Sequence, residues 1–189
     1  MANQGWVNAP AVQQSAGTSF GTYTTAKTVI PATALHTIDA NVLRIGTAFE
    51  ILVRGGIGNL VTTPGTITFQ VMLGSIVVFT TGGIQLNATA HTNLPFCLDI
   101  LLTCRAIGSG TSANFMGQAR VSGVMFTKTA GQTDGVNSGS VIVVPQTAPA
   151  VGTGFDSTVD NILDFWTAFS ISDAANTIKI EQCVVKQLN

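Results

Sequence analysis

Residues 62–83 read TTPGTITFQVMLGSIVVFTTGG. TTPG has the chemistry of a tight turn: Pro64 suits the first central position and Gly65 the second. TITFQVML, which follows, is rich in β-branched and aromatic residues and reads as a strand. Gly74-Ser75 then reads as a tight hairpin turn into a second strand, IVVFTTGG. None of these residues is Lys, Arg, Asp or Glu. Between Arg54 and Asp99 the chain has no Lys, Arg, Asp or Glu, and one histidine, His91.

Strand signals continue on both sides of this hairpin. AFEILVRGG alternates, with Phe49, Ile51 and Val53 opposed to Glu50, Leu52 and Arg54, and its GG is expected to end the run. FCLDILLTCRAIG places Phe96, Leu98, Ile100, Leu102 and Cys104 opposite Cys97, Asp99, Leu101, Thr103 and Arg105. Both sides are partly apolar, so this strand is expected at the centre of a sheet and covered on both faces. IQLNATAHTNLP between them reads as a loop with a short strand at its start. ANFMGQARVSGVMFTK reads as one long strand bent at Gly117 and Gly123, followed by a flexible, turn-rich loop TAGQTDGVNSG.

DNILDFWTAFSIS is ambiguous. Val159, Ile162, Leu163 and Trp166 fit a helical stripe, but Asp156, Asp160 and Asp164 would then stack at i,i+4 and repel. Its Trp, Phe and Ile content favours a strand, paired after DAAN with TIKIEQCVVKQLN. There Ile178, Ile180 and Val184 alternate with Lys179, Glu181 and Cys183. The pattern of many strands with frequent turns and no helix predicts an all-β, two-sheet antiparallel β-sandwich, best described as a jelly roll.

Composition bears on assembly. Charged residues are 9% of the 189, against about 25% in a typical soluble domain. Net charge is −1, so little repulsion holds copies apart. A surface this poor in ions is expected to be covered by other protein. The first 26 residues are uncharged apart from the amino terminus and carry Trp6, Phe20 and Tyr23. Residues 1–27 are therefore expected to form an extended N-terminal arm, docking on a neighbour by those aromatics, ahead of a sandwich at residues 28–189; the alternative is a first strand of the fold, at Phe20 to Thr25.

Several function classes are disfavoured. The eight basic residues are scattered, which argues against nucleic acid. LPFCLDILLTC contains Asp99 and falls short of the about 20 apolar residues that span a membrane. MANQGWVNAP lacks the features of a signal peptide, so synthesis in a cytoplasm without export by the usual route is expected. Cys97, Cys104 and Cys183 have no metal-ligand spacing and read as reduced structural thiols. His36 and His91 stand in no HxH or HExxH motif, and no GxSxG is present. GGIGN and GSGTS read as turns, since neither has the Lys of a phosphate loop. Asp156, Asp160 and Asp164 would share one face of a strand, either as a weak cation site or as a solvated edge. No enzyme activity and no cofactor are expected.

PGTITFQVMLGSIVVFTTGGIQL, NLPFCLDILLTCRAIGSGTSANFMGQA and the closing DNILDFWTAFSIS…NTIKIEQCVVKQLN resemble the small jelly-roll structural proteins of tailed bacteriophages. These occur as head decoration (cement) proteins and as fibre or head-spike components. The resemblance spans about residues 30–189. It implies a homotrimer or other cyclic oligomer on the outer surface of a phage head, with the major capsid protein as partner. The alternative it leaves is a tail-fibre or head-spike domain that binds a cell-surface glycan. Phe165 and Trp166 are adjacent, so one faces the core and the other outward as a candidate contact residue. Trp166 with Asp164 is the pairing that a glycan site would use.

Overall fold

In the computed structural model, which describes residues 8–60, 63–129 and 141–188, every second side chain from Phe96 to Cys104 is buried. The strands in chain order are β1 (Asn8–Val12), β2 (Phe20–Gly21), β3 (Lys27–Thr28), β4 (His36–Ile38), β5 (Ala48–Asn59), β6 (Thr66–Leu73) and β7 (Ile76–Thr80). They continue with β8 (Ile84–Leu86), β9 (His91–Ala106), β10 (Asn114–Ser122), β11 (Phe126–Thr129), β12 (Ile142–Val144), β13 (Asn161–Phe169) and β14 (Thr177–Gln187). A 3-10 turn at Ala32–Ala34 is the one helical element among the described residues.

The strands form two antiparallel sheets. Sheet A runs β1-β14-β5-β9-β10-β12, with β2 also on β14. Sheet B runs β11-β8-β6-β13-β3, with β4 also on β13 and β7 also on β6. The first strand thus lies beside the last. The order β1-β14-β5-β9 in one sheet and β3/β4-β13-β6-β7/β8 in the other is that of a jelly roll, two nested Greek keys. β10, β11 and β12 are an addition between β9 and β13 that widens both sheets.

The two inner faces meet in an aromatic core. Phe69 of β6 stacks on Phe165 of β13 at 5.8 Å and on Phe96 of β9 at 5.7 Å, and Phe126 meets it edge-on. Phe115 stacks on Phe155 at 5.3 Å and meets Phe49 edge-on. Offset stacks and edge contacts suit the ring quadrupole, so these residues hold the sheets together beyond their area alone. The hairpin turn is where the sequence placed it: β6 ends at Leu73, Gly74 adopts φ +56°, and β7 starts at Ile76.

Five expectations are corrected. The first concerns the arm. Residues 8–27 are part of the sandwich: β1 and β2 pair with β14, and β3 pairs with β13. Hydrogen bonds lost at an open edge of β14 are regained this way, so no boundary falls at residue 27. Second, β9 is central but covered on one side, and Leu101 on its outer face is exposed. Third, β5 continues through Gly55-Gly56 to Asn59. A Cβ on Gly55 would lie 2.2 Å from the Lys179 carbonyl oxygen, so glycine there admits the backbone of β14 and does not end the strand.

Fourth, the run from Asn114 to Lys128 is two strands in different sheets, β10 and β11, separated at Gly123, which has φ +156°. Fifth, a bulge between Ile180 and Gln182 of β14 shifts the alternation by one. Cys183 and Val185 therefore point inward and Val184 outward. β9 also begins earlier than expected, so His91 is a strand residue. Of the loop read as flexible, residues 129–139, all but Thr129 lies outside the described residues.

Candidate functional site

β13 buries Leu163, Phe165, Thr167 and Phe169 and turns Ile162, Asp164, Trp166 and Ala168 to the outside. Its inner residues are held by the core, so the outer ones have fixed directions. Across the sheet, Trp166 is in register with Thr28 on β3 and with Gln70 on β6, and Gln70 with Thr80 on β7. Thr28, Trp166, Gln70 and Thr80 thus form one row across four strands. At the usual strand spacing the row is about 14 Å long.

The indole of Trp166 is oriented. Its Nε1–H donates to Asp164 Oδ2 at 2.6 Å. The other carboxylate oxygen, Oδ1, accepts from Thr28 Oγ1 at 2.8 Å and from the Phe165 backbone N–H at 2.6 Å. Asp164 is therefore a bracket that ties β3 to β13 and fixes the ring plane. The next row adds Thr68 beside Ala168, and beyond it Thr66 beside Gln85. Across all the strands of sheet B, the ionisable groups besides Asp164 are Lys27, His36 and Lys128. Around Trp166 the outward groups are mostly neutral hydrogen-bonding side chains, Thr28, Gln70, Thr80 and Thr68.

The other residues singled out by sequence lie elsewhere. Tyr23 is buried and shares a hydrogen bond with the Thr167 hydroxyl. Burial pushes its phenol up to about 12, with the Thr167 hydrogen bond opposing. Phe20 is partly buried against the core. Lys27 Nζ lies 4.7 Å from the Phe20 ring centroid and 4.2 Å from that of Tyr23, a cation–π clamp within one chain. Tyr23 is therefore a core residue and not an arm anchor, because folding back satisfies its hydroxyl inside the sandwich. Trp6 lies outside the described residues.

The three aspartates do not converge. Asp156 accepts from Gly110 N–H and from Thr158 N–H, both at 2.8 Å, and from the Thr158 hydroxyl at 2.6 Å. These bonds, the Thr158 hydroxyl first, hold its carboxyl below the usual range. Asp160 accepts from Ala40 N–H, and Asp164 serves Trp166. Among the described residues no three His, Cys, Asp or Glu groups are placed to hold a metal. Burial lowers the His36 imidazole, with Asp39 opposing. The thiols of Cys104 and Cys183 point inward and Cys97 outward; the odd spacing of Cys97 and Cys104 on β9 requires the opposite facing of those two.

The row itself was not legible in sequence. Gln70, Thr28 and Thr80 come from three separate strands and meet only through pairing. Among the described residues, no helix is long and apolar enough to cross a membrane. No known protein-family model matches this chain. No curated protein matches it either. Among solved structures it is similar to one described as the structure of the CBM2 module of Lactobacillus casei BL23 phage J-1 evolved Dit. The two are 13% identical, the match covers 82% of this chain and 68% of that chain, and the TM-score is 0.32.

Proposed function

We propose that this chain is a non-enzymatic structural module of a bacteriophage particle, and that its Trp166 row binds a cell-surface carbohydrate. The observation that carries the reading is the line of Thr28, Trp166, Gln70 and Thr80, with the indole held in place by Asp164. A pyranose ring has an apolar C–H face and a rim of hydroxyls. An aromatic plane flanked by an amide and hydroxyls matches both parts. The four residues of the row are neutral, which suits a neutral ligand, and the one carboxylate beside them, Asp164, is already held by three hydrogen bonds. A rigid sheet places these groups without a loop having to order on binding.

A glycan array probed with the wild-type chain and with Trp166→Ala tests this. Binding to a subset of glycans that disappears in the variant, with an unchanged circular dichroism spectrum, supports the reading. Equal binding by both chains, or none by either, overturns it.

Head decoration is the second reading, and the poverty of charge on sheet B favours it, because interface centres are depleted in charged residues. In that case the same face is covered by the major capsid protein. Purified chain added to expanded heads would then raise their melting temperature, and Trp166→Ala would weaken that effect without a sugar being involved.

A further inference from the structure

Beyond Trp166 the outer face of sheet B continues in small side chains. Ala168 follows on β13, with Thr68 beside it on β6. Ser170 lies just past the end of β13 and Thr66 at the start of β6. The Thr66 backbone N–H donates to Ser170 Oγ at 2.8 Å, and Ser170 N–H donates to the Thr66 carbonyl at 2.9 Å. These two bonds keep the strands side by side after the regular pairing stops. Thr66 is in register with Gln85 of β8. From Trp166 to Ser170 the strand path is about 13 Å. An indole beside Ala168, Thr68, Ser170 and Thr66 leaves a trough whose floor is lower than the ring.

The far end of that floor meets a cleft of about 580 Å³, lined by Pro64, Gly65, Gln85, Asn87, Thr127 and Ile171 among others. Gln85 belongs to both. Its neighbours Ile84 and Leu86 are buried, so its side chain is on the outer face, and it forms part of the cleft wall. Its Nε2 donates to the Gly65 carbonyl at 2.8 Å, which fixes the direction of the amide. The Thr127 hydroxyl donates to the Gln85 carbonyl at 3.3 Å, so β11 is fastened at the same place. Gly65 has φ +70°, and a Cβ there would fall 2.4 Å from Ser170 Oγ. Glycine therefore keeps the junction between floor and cleft open. None of the residues named in the cleft wall carries a charge.

We propose that the trough and the cleft extend the Trp166 site, and that its ligand is a linear, neutral oligosaccharide of several rings, not a single sugar. This rests on the carbohydrate reading of the Trp166 row. One ring packs on the indole. The chain then runs along β13 and β6 over Ala168 and Thr68, and a later ring enters the cleft beside Gln85. Small floor residues give the intervening rings room, while the hydroxyls of Thr68, Thr66 and Ser170 and the amide of Gln85 face the hydroxyls of the glycan. A single sugar can fill one of the two ends. A chain that spans both joins them through its own linkage, so the second contact forms at a high effective concentration. Affinity should then climb with chain length until the trough is spanned and level off beyond it.

A length series tests the proposal. The full chain is titrated with linear chains of glucose, N-acetylglucosamine, mannose and galactose, each from the monosaccharide to the hexasaccharide. The wild type is expected to bind one of these series, with affinity that rises by about tenfold or more over the monosaccharide and then reaches a plateau. Gln85→Ala removes the polar group at the cleft, and Ala168→Trp obstructs the floor. In each variant the hexasaccharide is expected to bind about as weakly as the disaccharide binds the wild type, and circular dichroism checks both folds. Binding that does not change with chain length, or a gain with length that survives in both variants, overturns the trough and leaves the Trp166 reading in place. No binding to any chain overturns both.

Discussion

The hydroxyls of Tyr23 and Thr167 share a hydrogen bond in the interior of the sandwich, across 144 positions of sequence. Both residues are buried, so neither hydroxyl can turn to water instead. The bond fastens the segment between β2 and β3 to the inner face of β13 and makes the N-terminal region part of the core.

Tyr23→Phe leaves the Thr167 hydroxyl buried without a partner. The expected cost is about 1–2 kcal/mol, read as a lower urea midpoint at pH 7 with an unchanged m-value.

Alkaline pH should unfold the protein through two buried acids. Tyr23 is raised from 10.0 to about 12, and Cys183 from 9.0 to about 12 by burial and then by the Asp164 charge. Below pH 9 both groups are protonated in both states, and their contribution is complete. Between pH 9 and 12 the unfolded chain releases these protons while the folded chain keeps them, so stability falls as pH rises. Urea titrations from pH 8 to 11 should show the decline. Tyr23→Phe should flatten it above pH 10, and Cys183→Ala should delay its onset.

Asp164 orients the ring of Trp166, so its loss should loosen the site without removing it. In a Trp6→Phe background, which leaves Trp166 as the single indole, Asp164→Ala should shift tryptophan emission to the red. If the glycan reading holds, affinity should drop about tenfold, as expected for one charge-assisted hydrogen bond, against complete loss in Trp166→Ala. An emission maximum that stays in place would show that the carboxylate does not hold the indole.

Two glycines are positions of close approach. A Cβ on Gly55 meets the Lys179 carbonyl, and one on Gly117 falls 2.4 Å from the Phe79 ring carbon across the sandwich. Gly55→Ala meets backbone, which cannot give way, and should cost about 3 kcal/mol. Gly117→Ala meets a side chain that can move, and should cost less, about 1–2 kcal/mol. Thermal melts of the two variants should rank in that order.

Local chemistry explains what was readable beforehand. The Gly74-Ser75 hairpin, the strand at Asn161–Phe169 and the opposite facing of Phe165 and Trp166 follow from turn residues and period-two alternation, while the structure decides that Trp166 is the outward one. These are properties of neighbours in sequence. The errors arose where a partner strand decides. Gly55-Gly56 looked like a stop because a glycine pair usually is one, yet β14 packs against it. The alternation of β14 was misread at Cys183 because the bulge depends on its pairing with β5.

The sequence by itself determined an all-β chain with two sheets, sparse charge and opposite facing of Phe165 and Trp166, because alternation, turn chemistry and composition are local quantities. Tertiary structure alone decided that the N-terminal segment is the first strand of the jelly roll. It also decided that Thr28, Trp166, Gln70 and Thr80 stand in one row. Each of these depends on register between strands far apart in the chain, and register is set by packing of the whole core.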